Sequence, residues 1–219
     1  MTTAYIIVNY VSSVNISDTM VVVPEKPYHH GSLDQALVEA GMEAVRDVGI
    51  SKLSLRELAR AIGVSSSATY RHFPSREYFE MRVSQRCREA LALAMNEASS
   101  RIVGSNTKRR SVERFEAIGR AYVQFAVSNP TLFEAAFSRN GVGIDRPDDP
   151  SPWSSLTDSI DQMVEAGVIS SARREEVPMI AWSSVHGIAT IITSSIWPAG
   201  VSADQQIDSV IAGIIRSIK

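Results

Sequence analysis

The sequence predicts an all-α fold in which a three-helix head carrying a helix-turn-helix is followed by a larger helical body. Three observations predict it. Residues 54–76, SLRELARAIGVSSSATYRHFPSR, read as two short helices joined by a tight turn and running into a third. From there onward, apolar residues recur at helical spacing in segments broken by Gly, Asn-Pro and Trp-Pro. The composition, 44% apolar in 219 residues, is ample for a packed core, and no repeat or low-complexity tract interrupts it. The expected division is an extension over residues 1–27, the helix-turn-helix head over 28–75 and the helical body over 76–219.

Residues 1–24 lack the basic start of a secretion signal, and their apolar stretch from Ala4 to Val11 stands alone, so they are expected to be poorly ordered. Met20 offers a second start for translation. Pro24 and Pro27 keep the backbone extended, and Lys26, His29 and His30 sit just ahead of a helix beginning near Gly31 or Ser32. Adjacent histidines point apart and no cysteine or carboxylate cluster accompanies them. A basic arm near phosphate is therefore expected rather than a metal site. Leu33, Leu37, Ala40, Ala44 and Val45 form one face of the first helix, which Gly49 closes. This face is expected to complete a three-helix core with Leu55, Leu58, Ile62, Tyr70 and Phe73.

Ser54 stands three residues before Glu57, the spacing of a capping box, and opens the second helix; Gly63 ends it. Val64 plugs the angle, and Ser65 caps a third helix running to about His72. In such a motif the later helix enters the DNA major groove while the earlier one crosses the backbone. Ser65, Ser66, Ser67, Ala68, Thr69 and Arg71 lie where side chains reach base edges, and Arg71 is the candidate for a bidentate guanine contact. Arg56 is placed to reach a base edge or a phosphate, beside Ser54. The chain carries a formal charge of −2, yet Lys52, Arg56, Arg60, Arg71 and Arg76 have only Glu57 as an acidic residue among them. The positive potential is local to the motif.

The run LRELARAIGVSSSATYRHFPSREYF resembles the DNA-binding domain of the TetR family of bacterial transcriptional regulators, closely over about residues 28–80. Its Gly-Val-Ser turn, Tyr-x-His-Phe helix end and Ser-Arg-Glu opening of the next helix follow the family in order and spacing. Farther on, AWSSVHGIAT is similar to the Trp-x-x-x-His-Gly segment of one subgroup. The resemblance implies that Tyr70, His72 and Arg76 clamp phosphates, that the protein acts as a homodimer, and that it represses. Three consecutive serines depart from many relatives, and short hydroxyls discriminate bases weakly, so the operator is not legible.

Beyond the motif, Pro74 suits the first turn of a long helix, with Ser75 as cap, that runs through Phe79, Val83, Cys87, Leu91 and Met95 to about Ser100. Further helices are expected over about 109–128, 131–139, 153–166, 173–196 and 203–218, with Gly141 to Pro152 as a loop. The helix from Arg173 to Ile196 is apolar nearly all round, which predicts burial on more than one side. With the helix from Ala203 to Ile218 it is expected to form a four-helix dimer contact, eased by the small residues Ala181, Ser183, Ser184, Gly187, Ala189 and Ser194.

Between head and dimer helices lies an aromatic set: Phe115, Tyr122, Phe125, Phe133, Phe137, Trp153 and Trp182, with Met163 and the polar His186. These are the candidates for a pocket that takes an apolar or aromatic effector. The rival readings are an architectural or protein-recruiting DNA-binding module, and an enzyme centred on His186. No glycine-rich phosphate loop, Gly-x-Ser-x-Gly or metal-spaced cluster supports the enzyme, and no cofactor is expected. A single cysteine, Cys87, excludes an intrachain disulfide and fits a reducing cytoplasm; no apolar run approaches the roughly 18 residues of a spanning helix.

Overall fold

A computed structural model of the chain describes residues 30–138, 149–194 and 196–218. The expectations placed on residues 1–27, on His29 and on most of the loop from Gly141 lie outside the described residues. Among the described residues there are nine α-helices and no strand. They are α1 (His30–Val48), α2 (Leu55–Ala61), α3 (Ser66–His72), α4 (Arg76–Ser100), α5 (Thr107–Ser128), α6 (Pro130–Ala136), α7 (Pro152–Glu165), α8 (Val177–Thr193) and α9 (Ala203–Ile218). Two 3-10 turns, Ile50–Lys52 and Ser171–Arg173, complete them.

The helix starts follow local chemistry. Ser54, Ser65, Ser75, Asn106 and Ser151 each accept a backbone N–H of the first turn of the helix they precede. Pro74 falls before the cap of α4 rather than within its first turn, since Ser75 takes the cap position. Gly63 has φ 74° and closes α2: its own N–H donates to Arg60 O (3.2 Å), and Val64 N–H donates to Ala59 O (2.8 Å). Gly167 ends α7 with the same pair of bonds, to Val164 and Met163.

Two apolar cores result. The head core gathers Leu37 and Val45 of α1, Leu55 of α2 and Phe73, and reaches into Phe79 and Val83 of α4. The body core joins Leu91 and Met95 of α4 to α5, α7, α8 and α9. The short helix α6 belongs to both: Leu132, Ala135 and Ala136 pack in the head core, and Phe133 in the body core. Its ends are fastened as well, with Arg46 Nη1 donating to Asn129 Oδ1 (2.9 Å) and Arg88 Nη1 to Ala136 O (2.9 Å). At Gly41 a Cβ would stand 2.7 Å from Val83 Cγ2 and 2.8 Å from Phe79 Cζ, so only glycine lets α1 lie this close to α4.

Several expectations are corrected. Ile62 and Tyr70 are exposed, 39% and 53%, and do not belong to the head core. Ile62 is the residue at which α2 leaves helical geometry, and Tyr70 points away from the face shared by Thr69 of α3 and Phe73, which caps it one turn on. The single helix expected over 173–196 is a 3-10 turn followed by α8, which begins beside Pro178, where the missing N–H costs nothing, and ends at Thr193 with Ser194 extended. Burial on several sides of α8 is not achieved within one chain. Val177, Pro178, Ala181 and Ala189 are buried, whereas Met179, Ile180 and Ile191 are exposed. Ala181 and Ala189 therefore pack inward instead of offering a surface. The apolar face of α9, Ile207, Ile211, Ile214, Ile215 and Ile218, is likewise spent inside the chain.

Candidate DNA-binding surface and effector cavity

The head presents α3 on a basic rim. Ser65, Ser66, Ser67, Tyr70 and Arg71 are exposed, as are Arg56 and Arg60 of α2. Arg56 and Arg60 stand one turn apart and, with Ser54, Ser65 and Ser66, line a groove of about 730 Å³ beside the turn. In the sequence Arg60 counts only toward the local charge; its i+4 spacing from Arg56 is the signal that sets the two side by side.

Other candidates are engaged within the chain. Thr69 is buried and its hydroxyl donates to Ser65 O (3.1 Å), so it holds the first turn of α3 together and does not reach a base. Ser65 has the cap bond from Ala68 N–H (3.2 Å) and a hydroxyl contact with Ser67 (3.2 Å), which leaves Ser66 as the least committed serine. Ala68 is half-buried. His72 is turned back onto α1, with Nδ1 against Asp34 Oδ1. The Arg76 guanidinium donates to Glu80 Oε1 (2.6 Å) and to Ser51 O (2.6 Å), tying α4 to the 3-10 turn. The clamp implied by resemblance is thus open at Tyr70 and internally bonded at His72 and Arg76.

In the body, Phe115, Tyr122 and Trp182 line a small cavity of about 30 Å³, with Met95, Ile118 and Ile211 among the aliphatic residues that complete it. The aliphatic walls were missed because a residue facing a void and one facing a neighbour carry the same helical spacing. Gly119 forms part of the wall; a Cβ there would sit 3.7 Å from Ile211 Cδ1 and Cγ1, in ordinary contact. Phe133, Phe137 and His186 line a separate open cleft of about 370 Å³ between α6 and α8. Trp153 is 42% exposed at the start of α7, its ring 5.7 Å from that of Trp182. Met163 is fully buried in the core without lining either void, and Phe125 packs against both cores.

The polar centre of this region is a pair: Tyr122 Oη lies 2.8 Å from His186 Nδ1. Burial pushes the Tyr122 phenol up and the His186 imidazole down, so both are neutral near pH 7. Burial also pushes the Cys87 thiol up to about 12, which leaves it an inert part of the head core. Among the described residues no group of three His, Cys, Asp or Glu side chains is placed to hold a metal, and no helix is long and apolar enough to cross a membrane.

An exposed short helix on a basic rim, carried by a helical body with an apolar void, is the layout of a helix-turn-helix protein. The comparisons give its family. Residues 37–78 match the family model for bacterial regulatory proteins of the tetR family, and residues 115–213 match the tetracyclin repressor-like C-terminal domain. The chain belongs to the TetR family of bacterial regulatory proteins. It is similar to the nucleoid occlusion factor SlmA of Aliivibrio fischeri, 29% identical over 109 residues, which are 50% of this chain and 51% of that protein. The chain thus spans about half the length of the curated relatives it matches. Among solved structures, a protein of unknown function from Rhodococcus sp. RHA1 is similar at TM-score 0.65 and 25% identity, over 89% of this chain and 99% of that one. A TetR family transcription regulator from Marinobacter aquaeolei VT8 shares the fold at TM-score 0.60 and 17% identity, over 86% and 96%.

Proposed function

We propose that the protein is a cytoplasmic repressor that binds a palindromic operator as a homodimer and lets go when an apolar or aromatic effector enters the body. The observation that carries the DNA half is the division of labour along α3 and its C-cap, where Thr69 and Phe73 are buried while Ser66, Tyr70 and Arg71 face out beside Arg56 and Arg60. Arg71 is assigned to a guanine edge and Arg56 to a base edge or phosphate, with Arg60 and Tyr70 on the backbone.

One such head reads few base pairs, so useful selectivity requires two. The proposed dimer joins the outward stripe of α8 (Ile180, Ser183, Gly187 and Ile191) and the small outward residues of α9 (Ser209, Ala212 and Gly213) to their copies, where close packing is allowed. Operator selection from random duplexes, followed by gel shifts and sedimentation, tests the reading. Two-fold sites and a dimer mass are expected, with Ile180→Glu giving monomers. A selection that returns no enriched site rejects it.

A second reading, an architectural DNA-binding protein that needs no effector, is favoured by the small size of the body cavity and the partial likeness to a nucleoid occlusion factor. A thermal-shift screen of lipophilic compounds beside the gel shift separates the two. Compounds that both stabilise the protein and release the operator support the sensor.

A further inference from the structure

We infer that the small body cavity and the wider α6/α8 cleft are two halves of one small-molecule site. Its ligand is an uncharged, flat, lipophilic molecule whose single hydrogen-bond acceptor is read by the Nε2–H of His186. The inference rests on the effector reading above and adds to it a route of entry, a reading residue and a ligand class.

The two voids share one wall. Tyr122 and Trp182 face the cavity, while Phe133, Phe137 and His186 face the cleft. These rings touch directly: Tyr122 to Phe133 at 5.5 Å, Tyr122 to Trp182 at 5.5 Å and Phe137 to Trp182 at 5.9 Å between centroids, all edge to face. The partition is therefore made of side chains in contact, and rotation of those rings joins the spaces. The cavity alone holds little more than a water molecule, whereas the cleft has the size of an ordinary ligand pocket.

The hydrogen-bonding groups of the cleft narrow its ligand. Thr131, Thr190, Thr193 and Ser194 all spend their hydroxyl protons on backbone oxygens, those of Arg46, His186, Ala189 and Ile191. With the Tyr122 hydroxyl as the donor, Nδ1 of His186 at 2.8 Å accepts its proton. A neutral imidazole then carries its hydrogen on Nε2, a side-chain donor that the cleft hydroxyls do not duplicate. A carbonyl, ether or hydroxyl oxygen of the ligand satisfies it. Apart from Tyr122, no ionisable side chain lines the cavity, so burying a charged ligand there leaves the charge uncompensated, and Glu134, exposed at the cleft, repels anions.

The test uses the full chain without DNA and three probes with one ring system: acetonaphthone, ethylnaphthalene and naphthoate. Binding is followed by tryptophan quenching. The ketone is expected to bind about three- to tenfold more tightly than the hydrocarbon, as one added hydrogen bond gives, and naphthoate at least about tenfold more weakly than either. His186→Leu is expected to erase the preference for the ketone while hydrocarbon binding persists, and Thr190→Trp to slow association of both. In the unaltered protein, nitrogen NMR of the imidazole is expected to show a bare Nδ1, a protonated Nε2, and a shift of Nε2 with the ketone only; this readout decides the matter if His186→Leu does not fold.

Naphthoate binding as tightly as the ketone overturns the inference, as does a ketone preference that survives in His186→Leu, an association rate untouched by Thr190→Trp, or the absence of saturable binding by any probe. A ketone that binds by these rules but leaves operator affinity unchanged instead removes the effector reading and leaves the site standing.

Discussion

The head and the body are both helical bundles of similar chemistry, but they use their buried residues for opposite ends. In the head the interior is sealed: Leu37, Val45, Phe73, Phe79 and Val83 are fully buried, and the side chains proposed to meet DNA stand on the outside. In the body the rings that pack the interior also line its voids, so a side chain such as Tyr122 is at once core and candidate contact. A sealed core fixes the position of a recognition helix; a core with removable partitions can admit a guest. The difference teaches that similar apolar content supports rigidity or reception according to how completely the rings are boxed in.

The sharpest way to break this comparison is to cut an equal ring from each side. Phe73→Ala, in the sealed head, is expected to cost about 3–5 kcal/mol in chemical denaturation and to abolish operator binding. Phe137→Ala, half-buried at the cleft, is expected to cost clearly less and to keep the operator. Equal losses would mean that the body is as tightly sealed as the head. Next in size, Gly41→Ala is expected to destabilise by about 1–3 kcal/mol, because Val83 and Phe79 at the α1/α4 crossing are themselves fully buried and have little room to yield.

On the outer face, Arg71→Ala is expected to weaken specific DNA binding by about 1–3 kcal/mol with stability unchanged, and Arg60→Ala to lower the salt slope by about 1 without altering sequence preference. Competition between operator and random duplex at several salt concentrations measures both. Gly119→Ala sharpens the comparison from the other side. It sits inside helix α5, so alanine is expected to stabilise by about 0.5–1 kcal/mol in thermal melts, while the added methyl narrows the cavity and weakens ligand binding. The smallest effect is one of pH. His186 has its imidazole held down by burial, so the stability it contributes is present above the ordinary histidine range and is lost as pH falls through the lowered value. An acid-induced change in Trp182 fluorescence that is absent in His186→Leu would register it, since the two rings stack at 6.1 Å.

The head was legible because its signals are local. Ser54, Ser65 and Ser75 cap helices through bonds made within three residues, and Gly63 and Gly49 sit at positive φ where the chain turns. What was misread there depended on facing rather than on helix content: Tyr70 outward and Thr69 inward, one residue apart. In the body, helix lengths followed from spacing, but the break between Arg173 and Val177 turned on Pro178, which the long apolar run disguised. The partnership of Tyr122 with His186 joins residues 64 positions apart, and no local pattern announces it. Arg76 shows the same limit, since a basic residue beside a recognition helix looks like a phosphate ligand until Glu80 and Ser51 are seen to hold it.

Helix α6 contributes Leu132, Ala135 and Ala136 to one core and Phe133 to the other. If the body is the proposed effector site, a lineage adapting it to a new compound would meet a conflict there, because any repacking around Phe133 disturbs the footing of the head. Drift in chemical taste should therefore accumulate on the cavity-facing positions of α5, α8 and α9, such as Ile118, Val185 and Ile214, which pack in the body core only, while α6 changes least.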